Sequence, residues 1–296
     1  MTIRGIAAPI AAVVLCTSVF AQQPAPAPPQ TGGGRGAQAA DAGTPLRVFI
    51  YGGMKTHGPG QHDYPQFLAD WSKILQDRGA YVTGGLQFPA ARDLASADVL
   101  VIYKGDAGYL AADDRAALDS FMRRGGGIVS IHDALCGPEP EAFAGIVGGA
   151  KKHGEVNYTL EADVPYTIVD TANPIMQGMT NFSIKDEAFF NMTWSKAPEV
   201  KVLATATMAA TPSAKGHEGE VVPQIWTYER TIFGGQPSRA FVWMQGHTYT
   251  NFKNPAIEGM ILRGIAWAAH YPAETLVNGS APARGGGRGR GRQGGE

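Results

Sequence analysis

The chain has 296 residues, 44% of them hydrophobic and 17% charged, with a formal net charge of -1. That is enough apolar material for one sizeable core, or two small ones. A balance so near neutrality gives no electrostatic basis for a nucleic-acid partner or an acidic membrane surface.

Residues 1–21 read as a secretory signal peptide. Arg4 supplies the positive n-region, the apolar run from Ile6 to Phe20 is short for a bilayer span, and Val19-Phe20-Ala21 fits a small-residue cleavage site. The competing reading is an uncleaved anchor. Cys16 sits in "VVLC", a poor lipoprotein box, so lipidation is not expected. The expectation is an exported protein, periplasmic or extracellular, with no stable membrane insertion after cleavage. Cys136 is then the one remaining cysteine, which excludes an intramolecular disulfide and favours a buried thiol. Residues 22–44 are a Pro/Ala/Gly-rich linker with little to bury. Residues 279–296 form an Arg/Gly-rich, solvated tail, and the folded domain is expected over 45–278 with no internal repeat.

Within the domain, strand and helix alternate at first. "LRVFIY" (46–51) is a short apolar strand, and Tyr64 to Arg78 carries Phe67, Leu68, Trp71, Ile74 and Leu75 at helical spacing before Gly79. "AYV" starts a strand, "ADVLVIY" (97–103) is apolar enough to be buried on both faces, and 111–125 is an amphipathic helix ending in Arg-Arg-Gly. "GIVSIH" is the next strand. The second half is richer in strands, expected at 156–162, 166–169, 200–207, 221–228 and 239–244, with a closing helix at about 254–270. This pattern predicts an α/β fold: a mostly parallel central sheet with helices on both faces and added antiparallel strands. Ligands in such sheets bind beyond the carboxyl ends of the strands.

"GGGIVSIHDALCG" (125–137) resembles the approach to a nucleophile elbow, with His132 at the bend and Cys136 four residues on. Other polar clusters also fall at strand ends or loops: His57, His62 and Asp63; His153; Asp186-Glu187; and His247. Each alone reads as a surface or hydrogen-bonded residue, and no short ligand motif is present. Five of the seven histidines nevertheless follow or flank expected strands, while His217 and His270 look incidental. Imidazole with carboxylate suits a zinc, manganese or iron centre, and equally suits acid–base work on hydroxyls.

The segments "VFIYGGMKTHGPGQHDY", "GGGIVSIHDA", "IVDTANPIMQGM", "KDEAFF" and "FVWMQGHTYTNFKNPAIEGMILRGIAWAAH" together resemble the ThuA-like (trehalose utilisation) family over nearly all of 46–270. The resemblance implies a class I glutamine amidotransferase-like, flavodoxin-like fold and a link to sugar metabolism. The amidotransferase cysteine stands at the bend itself; His132 occupies that place here, which argues against glutaminase chemistry at Cys136. Asp133 replaces an expected small hydroxyl residue. Phe189 stands where these proteins often carry Tyr, which leaves Tyr158 or Tyr249 to supply any phenol.

The candidate catalytic residues are therefore His132, Glu187 and His247. His57, His62, Asp186 and Trp243 are candidates for substrate binding, and His132, His153, Glu187 and His247 for a divalent metal, zinc or manganese. The expected partner is a small-molecule carbohydrate such as an oxidised (keto) glycoside, acted on by isomerisation, elimination or hydrolysis. A non-catalytic sugar-binding module is the alternative, and self-association into a homo-oligomer is left open.

Overall fold

The computed structural model describes residues 44–279. The signal peptide, nearly all of the 22–44 linker and nearly all of the 279–296 tail lie outside the described residues. In chain order the elements are β1 (Arg47–Gly52), α1 (Tyr64–Asp77), β2 (Tyr81–Gly85), α2 (Ala91–Ser96), β3 (Val99–Tyr103), α3 (Ala112–Arg123) and β4 (Gly127–Ile131). They are followed by β5 (Cys136–Gly137), α4 (Pro140–Val147), β6 (Gly149–Lys152), β7 (Ala162–Ile168), β8 (Phe182–Asp186) and β9 (Thr193–Trp194). The last are β10 (Lys201–Thr207), β11 (Val221–Thr231), β12 (Pro237–Trp243) and α5 (Pro255–Ala268).

Nine strands form one sheet in the order β2-β1-β3-β4-β12-β11-β10-β7-β8. The β2-β1-β3-β4-β12 half is parallel, and from β12 through β11, β10 and β7 to β8 each pairing is antiparallel. Two consequences fix the site. The carboxyl ends of β1, β3, β4 and β12 share one edge, and three reversals after β11 return β8 to the same direction as β12. Asp186 therefore ends on the edge where His132 and His247 begin their loops.

The helices cover both faces because each presents one apolar stripe. Helix α1 buries Tyr64, Phe67, Trp71 and Leu75 in a core shared with α5, while Leu118, Phe121 and Met122 of α3 join α2 and α4 in the core on the other face. Strands β3 and β4 lie between these two cores and are buried along their whole length, which is why "VLVIY" and "GIVSI" are unbroken apolar runs apart from Ser130. Asn254 caps α5, its side chain accepting from the Ala256 N–H at 2.9 Å, with Pro255 at the first helical position. None of the described helices is long and apolar enough to cross a membrane.

The strand expected at 156–162 does not form. That stretch contributes only an isolated bridge between Tyr158 and Phe189. Its apolar residues Val156 and Leu160 are largely exposed, so no core face exists to hold it in a sheet. Helices α2 and α4 are too short to announce themselves in sequence, and β8 alternates Phe182 and Ile184 with Ser183 and Lys185 over only five residues.

Close approach explains Gly127. A Cβ there would lie 2.2 Å from the Ala268 carbonyl oxygen at the end of α5, and a backbone atom inside a packed layer cannot swing aside. Gly127→Ala is expected to destabilise the protein by about 1–3 kcal/mol, measured as a lower urea midpoint at unchanged slope. A wild-type midpoint would contradict this packing.

Candidate functional site

His132 is the first residue after β4, at φ 54, and His62 takes φ 46 in the loop after β1. Both are non-glycine residues in the left-handed region, a costly conformation that concentrates at functional sites. His247 follows Gly246, whose φ of 130 suits glycine; a Cβ there would press on Ile131, Phe252 and Tyr103 at 3.2–3.3 Å. These turns aim the three imidazoles at one point. His62 Nε2 lies 2.9 Å from His132 Nε2 and 3.0 Å from His247 Nδ1. All three side chains are buried.

The cluster has a defined hydrogen inventory on one side. His132 Nδ1 lies 3.2 Å from the Met244 carbonyl, which only accepts, so Nδ1 carries the hydrogen and Nε2 turns a lone pair to the centre. His62 Nδ1 meets Thr56 Oγ1 at 2.9 Å. Burial pushes the His62 imidazole down to about 2 and His132 to about 3, with the neighbouring imidazoles adding to the effect, and it lowers His247 as well. Neutral rings are the state that binds a cation. A tetrahedral zinc with three imidazoles separates their nitrogens by about 3.3 Å; the two contacts of His62 lie a few tenths of an ångström inside that spacing, and all three ligand atoms fall within 4.8 Å of one another.

Carboxylates supply the second half of the site. The Asp186 side chain is fully buried and accepts five N–H groups. Oδ1 takes the backbone N–H of Glu187 at 2.8 Å and of His247 at 3.1 Å. Oδ2 takes those of Gly246 and Thr248 at 3.2 Å and the Asn251 amide at 2.7 Å. Burial pushes this carboxyl up to about 7, while every donor around it favours the anion. Asp186 is thus a positioning residue. Glu187 turns into the cluster, with Oε2 3.6 Å from His247 Nδ1. Burial, then the charge of Asp186, pushes it up to about 8.

Of the other residues singled out from sequence, His57 is exposed at the mouth, its ring centroid 4.0 Å from that of His62 and 5.5 Å from that of His247. Trp243 does not face a ligand: it is fully buried, packs edge-on against Phe252 and donates its indole N–H to Tyr166 Oη at 3.0 Å. His153 does not join the three histidines. It follows β6 and pairs instead with Asp106. Of the two tyrosines that could supply a phenol, Tyr249 donates to Asp70 instead, and Tyr158 bridges Phe189 with its ring centroid 5.3 Å from Lys151 Nζ; Phe189 itself packs against the His132 ring. Cys136 is buried.

Sequence reasoning missed Lys151 and gave Asp133 no role. Lys151 Nζ lies 2.8 Å from Asp133 Oδ1 and 4.3 Å from the Phe189 ring centroid, in a mostly buried pair beside His132. The available signal was a doubled lysine, Lys151-Lys152, on an otherwise apolar edge after α4.

The fold and these residues define an α/β protein with a buried histidine cluster at the carboxyl edge of its parallel strands. The sequence model of the trehalose utilisation (ThuA) family matches residues 47–268, and the chain belongs to that family. Among solved structures, a ThuA-like protein from Parabacteroides merdae is 19% identical, with TM-score 0.56 over 76% of this chain and 90% of that one. A ThuA-like protein from Bacteroides uniformis is 16% identical, with TM-score 0.56 over 79% and 95%. A GMP synthase component from Thermoplasma acidophilum aligns with TM-score 0.42 at 12% identity, over 73% and 94%. No protein of curated function matches the sequence.

Two outcomes follow. Asp186→Asn places an amide N–H2 against N–H donors, and is expected to cost at least about 1–3 kcal/mol in urea denaturation; an unchanged midpoint would contradict the clamp. Glu187 has its folded pKa raised, so its contribution to stability is present below the unfolded value near 4.5 and is lost as pH rises towards about 8. Glu187→Gln should therefore gain on the wild type from pH 4.5 to 8 in paired denaturant melts. A constant difference across that range would mean that Glu187 ionises normally.

Proposed function

We propose that this chain is an exported enzyme of carbohydrate metabolism that binds a divalent metal through His62, His132 and His247 and acts on a sugar or keto-glycoside. The observation that carries the reading is the convergence of three buried, neutral imidazole nitrogens within 2.9–3.0 Å contacts. A three-histidine set with a further position open is a catalytic rather than a structural zinc arrangement, and it suits manganese less well. The family's name supplies the sugar link.

Bound there, a divalent metal polarises a carbonyl or hydroxyl oxygen and makes a neighbouring proton removable. Glu187 stands beside His247 as the group that gives or takes that proton. Asp186 holds Glu187 and His247 in register through adjoining backbone N–H groups. Lys151 and Asp133 place a paired charge on the other side of His132, within reach of hydroxyls. His57 at the mouth is placed to meet the substrate first. This arrangement needs no cysteine nucleophile.

Purified protein is expected to carry a zinc-class metal at the histidine cluster, and His132→Ala and His247→Ala each to lower the metal content by about one ion per chain. On a panel of keto-glycosides, Glu187→Gln should keep the metal and lower kcat by about 10²–10⁴-fold. Sugar binding without turnover would favour a non-catalytic module. Wild-type metal content and sugar binding in both histidine variants would make the cluster structural. N-terminal sequencing of protein from its native host should begin near Gln22, and an intact Met1 on soluble cytoplasmic protein would end the export reading.

A further inference from the structure

A second group of ligating side chains stands apart from the histidine cluster. Asp106 lies in the loop after β3, Cys136 opens β5, and His153 follows β6. His153 Nδ1 lies 2.8 Å from Asp106 Oδ1 and 3.8 Å from Cys136 Sγ, and the three donor atoms all fall within 4.8 Å of one another. Cys, His and Asp would ordinarily suggest a nucleophile, a base and an orienting carboxylate. That relay needs the carboxylate on one ring nitrogen and the thiol on the other. Here both face Nδ1. The geometry is that of three donors around one point, and burial pushes the thiol pKa up, away from nucleophilic character.

The backbone presets the arrangement. Gly108 N–H donates to the Cys136 carbonyl at 2.9 Å, and His153 N–H donates to the Gly137 carbonyl at 2.9 Å. A Cβ on Gly108 would lie 2.8 Å from that Cys136 oxygen, and one on Gly137 2.8 Å from Gly108 Cα, so the two chain segments meet at a distance only glycine permits. Asp106 N–H donates to the Asp133 carbonyl at 3.1 Å, which ties the same loop to the turn after β4. Three segments distant in sequence are thus locked with their donors together before any ligand arrives. Cys136 is buried while the His153 side chain is 50% exposed, so the point they surround has a solvent side.

We propose that Asp106, Cys136 and His153 form a second transition-metal site, independent of the histidine cluster, for a zinc-class cation with its fourth position open to solvent. Thiolate with imidazole selects zinc or cobalt over magnesium and calcium. Tetrahedral zinc spaces a sulfur and a nitrogen by about 3.5 Å and a nitrogen and an oxygen by about 3.3 Å, close to what the apposed side chains offer. Binding exchanges the thiol proton for the cation: the S–H bond breaks, the S–metal bond forms and the proton leaves to solvent. The ion would cross-link the β3 loop, the start of β5 and the end of β6.

Cobalt(II) tests this directly, because a thiolate ligand gives a near-ultraviolet charge-transfer band that a three-histidine site lacks. The full-length chain carrying Cys16→Ser keeps Cys136 as its only thiol. Titration with cobalt should develop the band to saturation at one thiolate-bound cobalt per chain, and zinc should discharge it. The band should persist in a folded His132→Ala/His247→Ala variant and vanish in Cys136→Ser. His153→Ala removes a half-exposed side chain at little risk to folding, and should weaken cobalt binding at least tenfold. Absence of the band at saturating cobalt, its loss in the folded double-histidine variant, or wild-type affinity in His153→Ala would overturn the proposal. Because the band reports sulfur ligation alone, failure of the histidine-cluster reading would leave this result standing.

Discussion

Five N–H groups converge on the carboxylate of Asp186, and the functional edge is organised around that convergence. The anion is fully buried and sits at the end of β8, on the far margin of the sheet from β4 in strand order. A buried charge without a cation is tolerated only where hydrogen bonds replace its hydration. Three of the donors are the successive backbone amides of Gly246, His247 and Thr248, so the loop after β12 must wrap the carboxylate to complete its shell. The wrap presents the His247 ring to His62, and the adjoining amide of Glu187 sets the glutamate beside it. Electrostatic need at one carboxylate therefore fixes two of the groups proposed to do chemistry.

The same burial shapes the rest of the cluster. Each imidazole that reaches the centre is held neutral by desolvation and by its neighbours, while burial and the neighbouring Asp186 favour the protonated form of Glu187. A centre built this way has little net charge of its own to repel an incoming cation, and it keeps a proton on the one carboxylate placed to use it. The Lys151–Asp133 pair adds a local dipole beside His132, and the Phe189 ring packs against both Lys151 and the His132 ring. The aromatic ring at position 189 packs where a phenol would add a polar atom.

Much of the parallel half was legible because runs such as "VLVIY" and the α1 stripe encode burial on two faces or on one. The histidines could be placed at strand ends for the same reason: the ends of apolar runs show in sequence. What did not show was which of His62, His153 and Glu187 would complete the set around His132 and His247. The antiparallel order β11-β10-β7-β8 sets the direction of β8, and no local pattern announces that three reversals return Asp186 to the functional edge. Trp243 was misplaced because an aromatic near a strand end looks alike whether it faces a sugar or the core; Phe252 and Tyr166, distant in sequence, decide it. His153 meets Asp106 rather than the three histidines, because a loop histidine carries no record in sequence of its neighbours in space.

The position of β12 has a consequence for how the molecule comes into being. This strand pairs in parallel with β4, and the His132 ring contacts Met244 across 112 residues of chain. Contacts of such separation are entropically costly to close and form slowly. The first four strands can associate as their own sequence becomes available, but the gap beside β4 stays open until β12, the last strand, arrives. A nascent chain therefore leaves the backbone donors and acceptors along the β12-side edge of β4 unpaired throughout synthesis of the intervening segment, an aggregation hazard that the finished fold conceals. Truncation anywhere before β12 would remove more than a strand: it would leave His132 without its tautomer-setting carbonyl and the central sheet with an unsealed seam.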